Sequence, residues 1–180
     1  MGIATLEPHR RNSFNSRLMQ SRKDADLPRW GLTYQEYFLG YQTHYNTDKL
    51  HGGGILQRLG VDHIVVCGNQ LFWVDFILRE KAYPNLFIEY DVDGEAGKFL
   101  KADQLCSHIA YSCRPHGTVQ LFEFDEMRDY LSKCLNKNKF ETKVAKTFHN
   151  GRQYFTKGLI MPTESVRANL SSYRMVFVEG

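Results

Sequence analysis

The sequence has no apolar stretch approaching the roughly 20 residues that a membrane-spanning helix needs. Arg10, Arg11 and Arg17 are followed by no apolar run of the signal-peptide kind. A cytoplasmic protein without a membrane partner is therefore expected. The four cysteines, Cys67, Cys106, Cys113 and Cys134, form no CxxC pair, and none has a histidine at zinc-ligand spacing. They are expected as reduced thiols in the core, where free cysteine acts as a small hydrophobe. The seven histidines include no H-x-H or H-E-x-x-H, which leaves zinc hydrolysis without support. Ser107 and His108 lack the flanking glycines of a nucleophile elbow. Gly52, Gly53 and Gly54 are not followed by Gly-Lys-Ser, so a turn is expected there and not a P-loop.

What is present is ordinary in amount and uneven in placement. The chain has 180 residues, 42% hydrophobic and 24% charged, enough for one domain with a sizeable core. Residues 1–27 carry Arg10, Arg11, Arg17, Arg22 and Lys23 among Ser and Asn, the pattern of a flexible basic arm. Residues 28–180 read as a single domain, with no repeat and no internal linker. A formal charge of +3 permits a nucleic-acid partner without requiring one.

Along the chain, Thr33 and Glu36 have capping-box spacing, and Tyr34, Tyr37, Phe38 and Tyr41 fall at helical intervals, so a helix is expected over 32–45. Three apolar runs follow, His63 to Cys67, Leu71 to Leu78 and Leu86 to Tyr90, the first two joined by a turn at Asn69. They read as a three-stranded meander. A helix is expected over 102–113 from Leu105, Cys106, Ile109 and Ala110, then a strand at 118–124 and a helix from Asp125 to about Asn136. The remainder suggests a hairpin about Asn150 and Gly151, a short helix over 164–170 and a strand over 173–178. The fold class expected is α/β, a mixed central sheet with flanking helices. Lys133, Lys137, Lys139, Lys143 and Lys146 cluster near the end of the second long helix, either as a solvated face or as a phosphate-tracking groove.

Three carboxylates interrupt the apolar runs: Asp62, Asp75 and Glu89. An unpaired acid inside an apolar strand costs several kcal/mol, roughly, so these need partners or a task. The segments Gly60-Val61-Asp62, Val74-Asp75, Arg79-Glu80-Lys81-Ala82-Tyr83-Pro84 and Ile88-Glu89-Tyr90, then Lys101 and Ile109-Ala110-Tyr111, resemble the core of the PD-(D/E)XK nuclease superfamily, and in particular small phage and bacterial members. The resemblance spans Asp48 to Asp129, less than half of the chain.

That resemblance implies a restriction-endonuclease-like core, DNA or RNA as partner, and Mg²⁺ or Mn²⁺ as cofactor, held by oxygen ligands from among Asp62, Asp75, Glu89 and Asp91. It also implies a lysine that positions the attacking water and offsets charge at the phosphate. With Asp62 as the first acid, the lysine position is Ile77; with Asp75 first, it is Asp91. Lys81 or Lys101 could supply the missing cation beside Asp75 and Glu89. The alternative is a degenerate nuclease fold acting as a phage protein that binds nucleic acid or a host protein. A homodimer is compatible with either.

Overall fold

The computed structural model describes residues 29–79, 84–113, 117–149 and 152–177. The basic arm expected over 1–27, Lys81, and the turn expected at Asn150 and Gly151 lie outside these residues.

The aromatic stripe near the start does two jobs where one helix was expected. Helix α1 (Arg29–Tyr37) carries Trp30 and Tyr34 into the core, and Gly40, at φ +74°, turns the chain so that Tyr41 opens a strand, β1 (Tyr41–Asn46). Thr33 is fully buried inside the helix, so it packs and does not cap. A 3₁₀ turn (Thr47–Lys49) leads to a short helix, α2 (Gly53–Arg58). Gly53 packs directly on the turn: a Cβ there would lie 1.7 Å from the Thr47 carbonyl oxygen.

The first two apolar runs form the expected hairpin, β2 (His63–Cys67) with β3 (Gln70–Arg79), closed through Gly68 at φ +58°. The third run is a strand, β4 (Asn85–Val92), but it leaves that sheet. It pairs with a two-residue strand, β5 (Glu95–Ala96), and with β9 (Arg152–Pro162), whose other neighbour is β8 (Thr142–His149). The three-stranded meander is thus corrected to a hairpin and a strand of a second, four-stranded sheet.

The helix expected over 102–113 is corrected to a strand, β6 (His108–Cys113), parallel to β3 with Asp75 opposite Ile109. Every residue of β6 is buried because both faces of the sheet are covered. β7 (Thr118–Glu123) follows antiparallel, then α3 (Phe124–Asn136), α4 (Thr163–Asn169) and β10 (Arg174–Phe177), close to expectation. The larger sheet runs β1-β2-β3-β6-β7-β10, antiparallel except at β3–β6. The mixed sheet with flanking helices is as expected, whereas the parallel crossover is made of strand and loop and not of helix.

Side-chain alternation divides the core in two. Trp30, Tyr34, Phe38, Val65, Val74, Phe76, Ala110 and Leu121 pack on the α1 side. Ile109, Tyr111 and Phe122 point the other way, against Leu86, Ile88, Leu159 and Met161 of the second sheet and Met127 and Leu131 of α3. Asp75 and Ile77, out of phase with Val74 and Phe76, therefore face the space between the sheets. Among the described residues no helix is long and apolar enough to cross a membrane.

Candidate functional site at the junction of the two sheets

Asp75 is set in the middle of β3 and is 2% exposed, which excludes the solvent-facing edge position that would make an acid there trivial. Its partner is Lys98, which follows the β4–β5 turn and reaches across from the second sheet to place its ammonium against Asp75 Oδ2. The contact is an ion pair without hydrogen-bond alignment at that oxygen, which is otherwise enclosed. Burial alone would push the Lys98 ammonium down; the charge of Asp75, with that of Asp62 behind it, outweighs burial and holds it above its usual value.

Asp62 joins from the residue just before β2. Its Oδ2 accepts the Phe76 N–H at 2.9 Å, and its own N–H donates to the Val74 carbonyl at 2.9 Å. Its main chain is fixed by buried Thr47, whose N–H and hydroxyl donate to the Asp62 carbonyl at 2.8 and 3.0 Å. Burial first, and then the nearby Asp75 charge, raise the Asp62 carboxyl to about 7. Asp62 is thus a proton carrier near neutral pH, hydrogen-bonded to Asp75.

Glu89 belongs to the same junction through the main chain: its Oε1 accepts the Lys98 N–H at 3.3 Å. Arg128 of α3 clamps the following loop, donating to the Phe99 and Lys101 carbonyls at 3.1 and 3.0 Å. Cys106 completes the wall; burial, and then the charge of Asp75, push its thiol to about 12, so it stays protonated.

Of the acids singled out in the sequence, Asp62, Asp75 and Glu89 gather around Lys98. Asp91 instead pairs with Lys157 of β9 at 3.2 Å and accepts the Gly94 N–H at 3.2 Å. Lys101 is exposed, with its main chain engaged by Gly97 and Arg128. Ile77 packs against the inter-sheet core. Lys98 is not among the residues singled out in the sequence; the available signal was a lysine set between Gly97 and the apolar pair Phe99 and Leu100. Among the described residues no three Asp, Glu, His or Cys side chains stand together at metal-ligand geometry.

Two other sequence features have structural duties. The Ser107 hydroxyl accepts from the Trp73 N–H at 3.0 Å and donates to the Trp73 carbonyl at 3.1 Å, so it ties β3 to the start of β6. Lys133, Lys137 and Lys139 line a cavity of about 280 Å³ at the end of α3 together with Glu126, Asp129 and Asn169. No protein-family model, curated protein or solved structure matches the chain.

Proposed function

We propose that the chain acts on nucleic acid and hydrolyses phosphodiesters with a divalent cation at the Asp62–Asp75–Lys98 junction, in the manner of a PD-(D/E)XK nuclease. The observation that carries this reading is the meeting of two aspartates and a lysine, drawn from two sheets, around a carboxylate enclosed by protein. Asp62 and Asp75 are the residues that would hold Mg²⁺ or Mn²⁺, both of which favour oxygen donors, and a cation there would share the Asp75 carboxylate with the Lys98 ammonium. When bound, the cation supplies Lewis-acid polarisation of the phosphate and an activated water. The Lys98 ammonium offsets charge developing on the phosphate oxygens, and Glu89 and Arg128 fix the loop that carries it. Asp62 must surrender its proton before it can act as a ligand.

Incubation of labelled single- and double-stranded DNA and RNA with millimolar Mn²⁺ or Mg²⁺ tests this. Cleavage is expected, with loss of at least 100-fold in Asp75→Ala and in Lys98→Ala and complete loss in EDTA, since one electrostatic group at such a site is worth a factor on the order of 10²–10³. Cleavage that persists in both Asp75→Ala and EDTA overturns the reading.

One observation favours a second reading, a binding module of the same scaffold that does not cut. Lys98 and the Asp62 proton already balance the charge of the junction without a metal. Stoichiometric Mn²⁺ binding by calorimetry, abolished in Asp62→Asn, decides against it; absence of any Mn²⁺ heat in the wild type decides for it.

A further inference from the structure

The chain concentrates its positive charge away from the acid–lysine junction. Between Leu131 and Pro162 it has seven Lys or Arg residues and one acid, Glu141, so the remaining 148 residues carry a net charge of −3. Much of that excess lies on the β8–β9 hairpin. On β9, Leu159 and Met161 are buried in the inter-sheet core, and Phe155 and Lys157, in phase with them, continue the same face beyond it. The strand register sets Val144 opposite Lys157 and Lys146 opposite Phe155. Beyond the core this face is uncovered: Phe155 is 41% and Val144 50% exposed, and the Lys146 ammonium stands 5.9 Å from the centre of the Phe155 ring. Lys143 is exposed on the opposite face of the same strand.

An exposed ring beside the Lys146 ammonium, on a strand pair with a strong positive excess, matches the two chemical features of a nucleic-acid single strand: unpaired base faces that stack and phosphates that need cations. An acyl-chain surface, or an acidic peptide without aromatic side chains, would use the charge but has no planar ring to place on Phe155. A duplex hides its base faces. We infer that the uncovered face of the β8–β9 hairpin binds single-stranded nucleic acid, with Phe155 as the stacking platform and Lys146 as the phosphate contact. This rests on the nucleic-acid part of the function proposed above and adds the strand type and the surface.

The test uses the full chain in EDTA, so that cleavage plays no part, and a fluorescent oligothymidylate of about 15 nucleotides, read by anisotropy across a potassium chloride series. Phe155→Ala is expected to weaken binding about tenfold, the scale of one lost base stack, with Phe155→Trp restoring it. Lys146→Ala is expected to lower the magnitude of the log–log salt slope by about 0.7, the value of one phosphate contact on a single strand. A matched duplex should bind more weakly. Because Phe155 and Lys146 are exposed, circular dichroism should show both variants folded.

The inference is overturned if Phe155→Ala binds as tightly as wild type, or if duplex is preferred with no dependence on Phe155. It is equally overturned if Phe155 governs flotation with phosphatidylserine vesicles or self-association in the ultracentrifuge while leaving oligonucleotide binding unchanged. Absence of cleavage by the wild type with Mn²⁺ or Mg²⁺, alongside retained binding, removes the hydrolytic reading and leaves this one intact.

Discussion

At Asp62, a structural position and a titration are two views of one fact. A carboxyl held near 7 in the folded chain and near 3.8 in the unfolded chain keeps a proton that unfolding would release, so folding weakens as pH rises from about 4 to about 7. Partial solvent access reduces the magnitude to about 2 kcal/mol. Asparagine accepts from the Phe76 N–H and donates to Asp75 at every pH. Asp62→Asn is therefore expected to gain about 2 kcal/mol on the wild type between pH 4 and pH 8 in urea unfolding; a gap that does not change with pH removes the assignment. His108 runs in the opposite sense. Burial against Tyr37, Phe38 and Phe72 lowers its imidazole to about 4, so the folded chain keeps it neutral while the unfolded chain takes up a proton below about 6.5. That stability is lost as pH falls from about 6.5 to about 4. In the wild type the two effects oppose each other, and Asp62→Asn should decline towards acid more steeply because only the histidine remains.

Ile77 shows, at the same scale, what the resemblance left unresolved. It shares a face with Asp75, and that face is the inter-sheet core, where a lysine would be buried among apolar side chains. The cation enters from the opposite sheet, from a residue 23 positions after Asp75 whose path depends on the β4–β5 turn. Spacing counted along one strand pair cannot reach it.

Among the elements, the β2–β3 hairpin was legible because one face is buried and the turn carries Gly68 and Asn69. β6 was not: buried on both faces, it has no alternation to read, and Leu105, Cys106, Ile109 and Ala110 mimic a helical stripe. β4 was legible as a strand, but its main partner, β9, comes about 70 residues later, and local pattern does not encode that choice. Helix α3 was legible throughout, except for what anchors it. Although burial pushes the Glu126 carboxyl up, hydrogen bonds from Ser172 and Ser171 outweigh it and bring it to about 2. The Ser171 and Ser172 N–H groups donate to Glu126 at 2.6 and 3.0 Å, tying α3 to the turn before β10. Glu126→Ala should cost about 1–3 kcal/mol at pH 7, with the deficit shrinking as pH falls from about 4.5 towards 2. Thermal unfolding at pH 7 and pH 3 checks both the size and the trend; an equal deficit at the two values would mean that packing, not the carboxylate, is responsible.

For the molecule as a whole, the two sheets are joined by apolar packing over most of their contact and, among the described residues, by the ion pair of Lys98 with Asp75. Such a link is weak evidence for stability taken as a pair and strong evidence when broken on one side. Removing the ammonium leaves Asp75 enclosed without compensation, so Lys98→Met is expected to destabilise the fold by about 3–5 kcal/mol. Neutralising the acid as well removes the cause of that cost. The double variant Asp75→Asn with Lys98→Met should therefore be more stable than Lys98→Met alone, giving a coupling of about 2 kcal/mol or more in a double-mutant cycle measured by urea unfolding. A link retained only for architecture would be dispensable in the double variant, which would keep whatever the protein does. A link retained for chemistry gives a different pair of results: stability largely recovered and phosphodiester cleavage absent. Measuring unfolding and cleavage on the same four proteins separates these, because the first reports how the sheets are held together and the second what the junction between them is for.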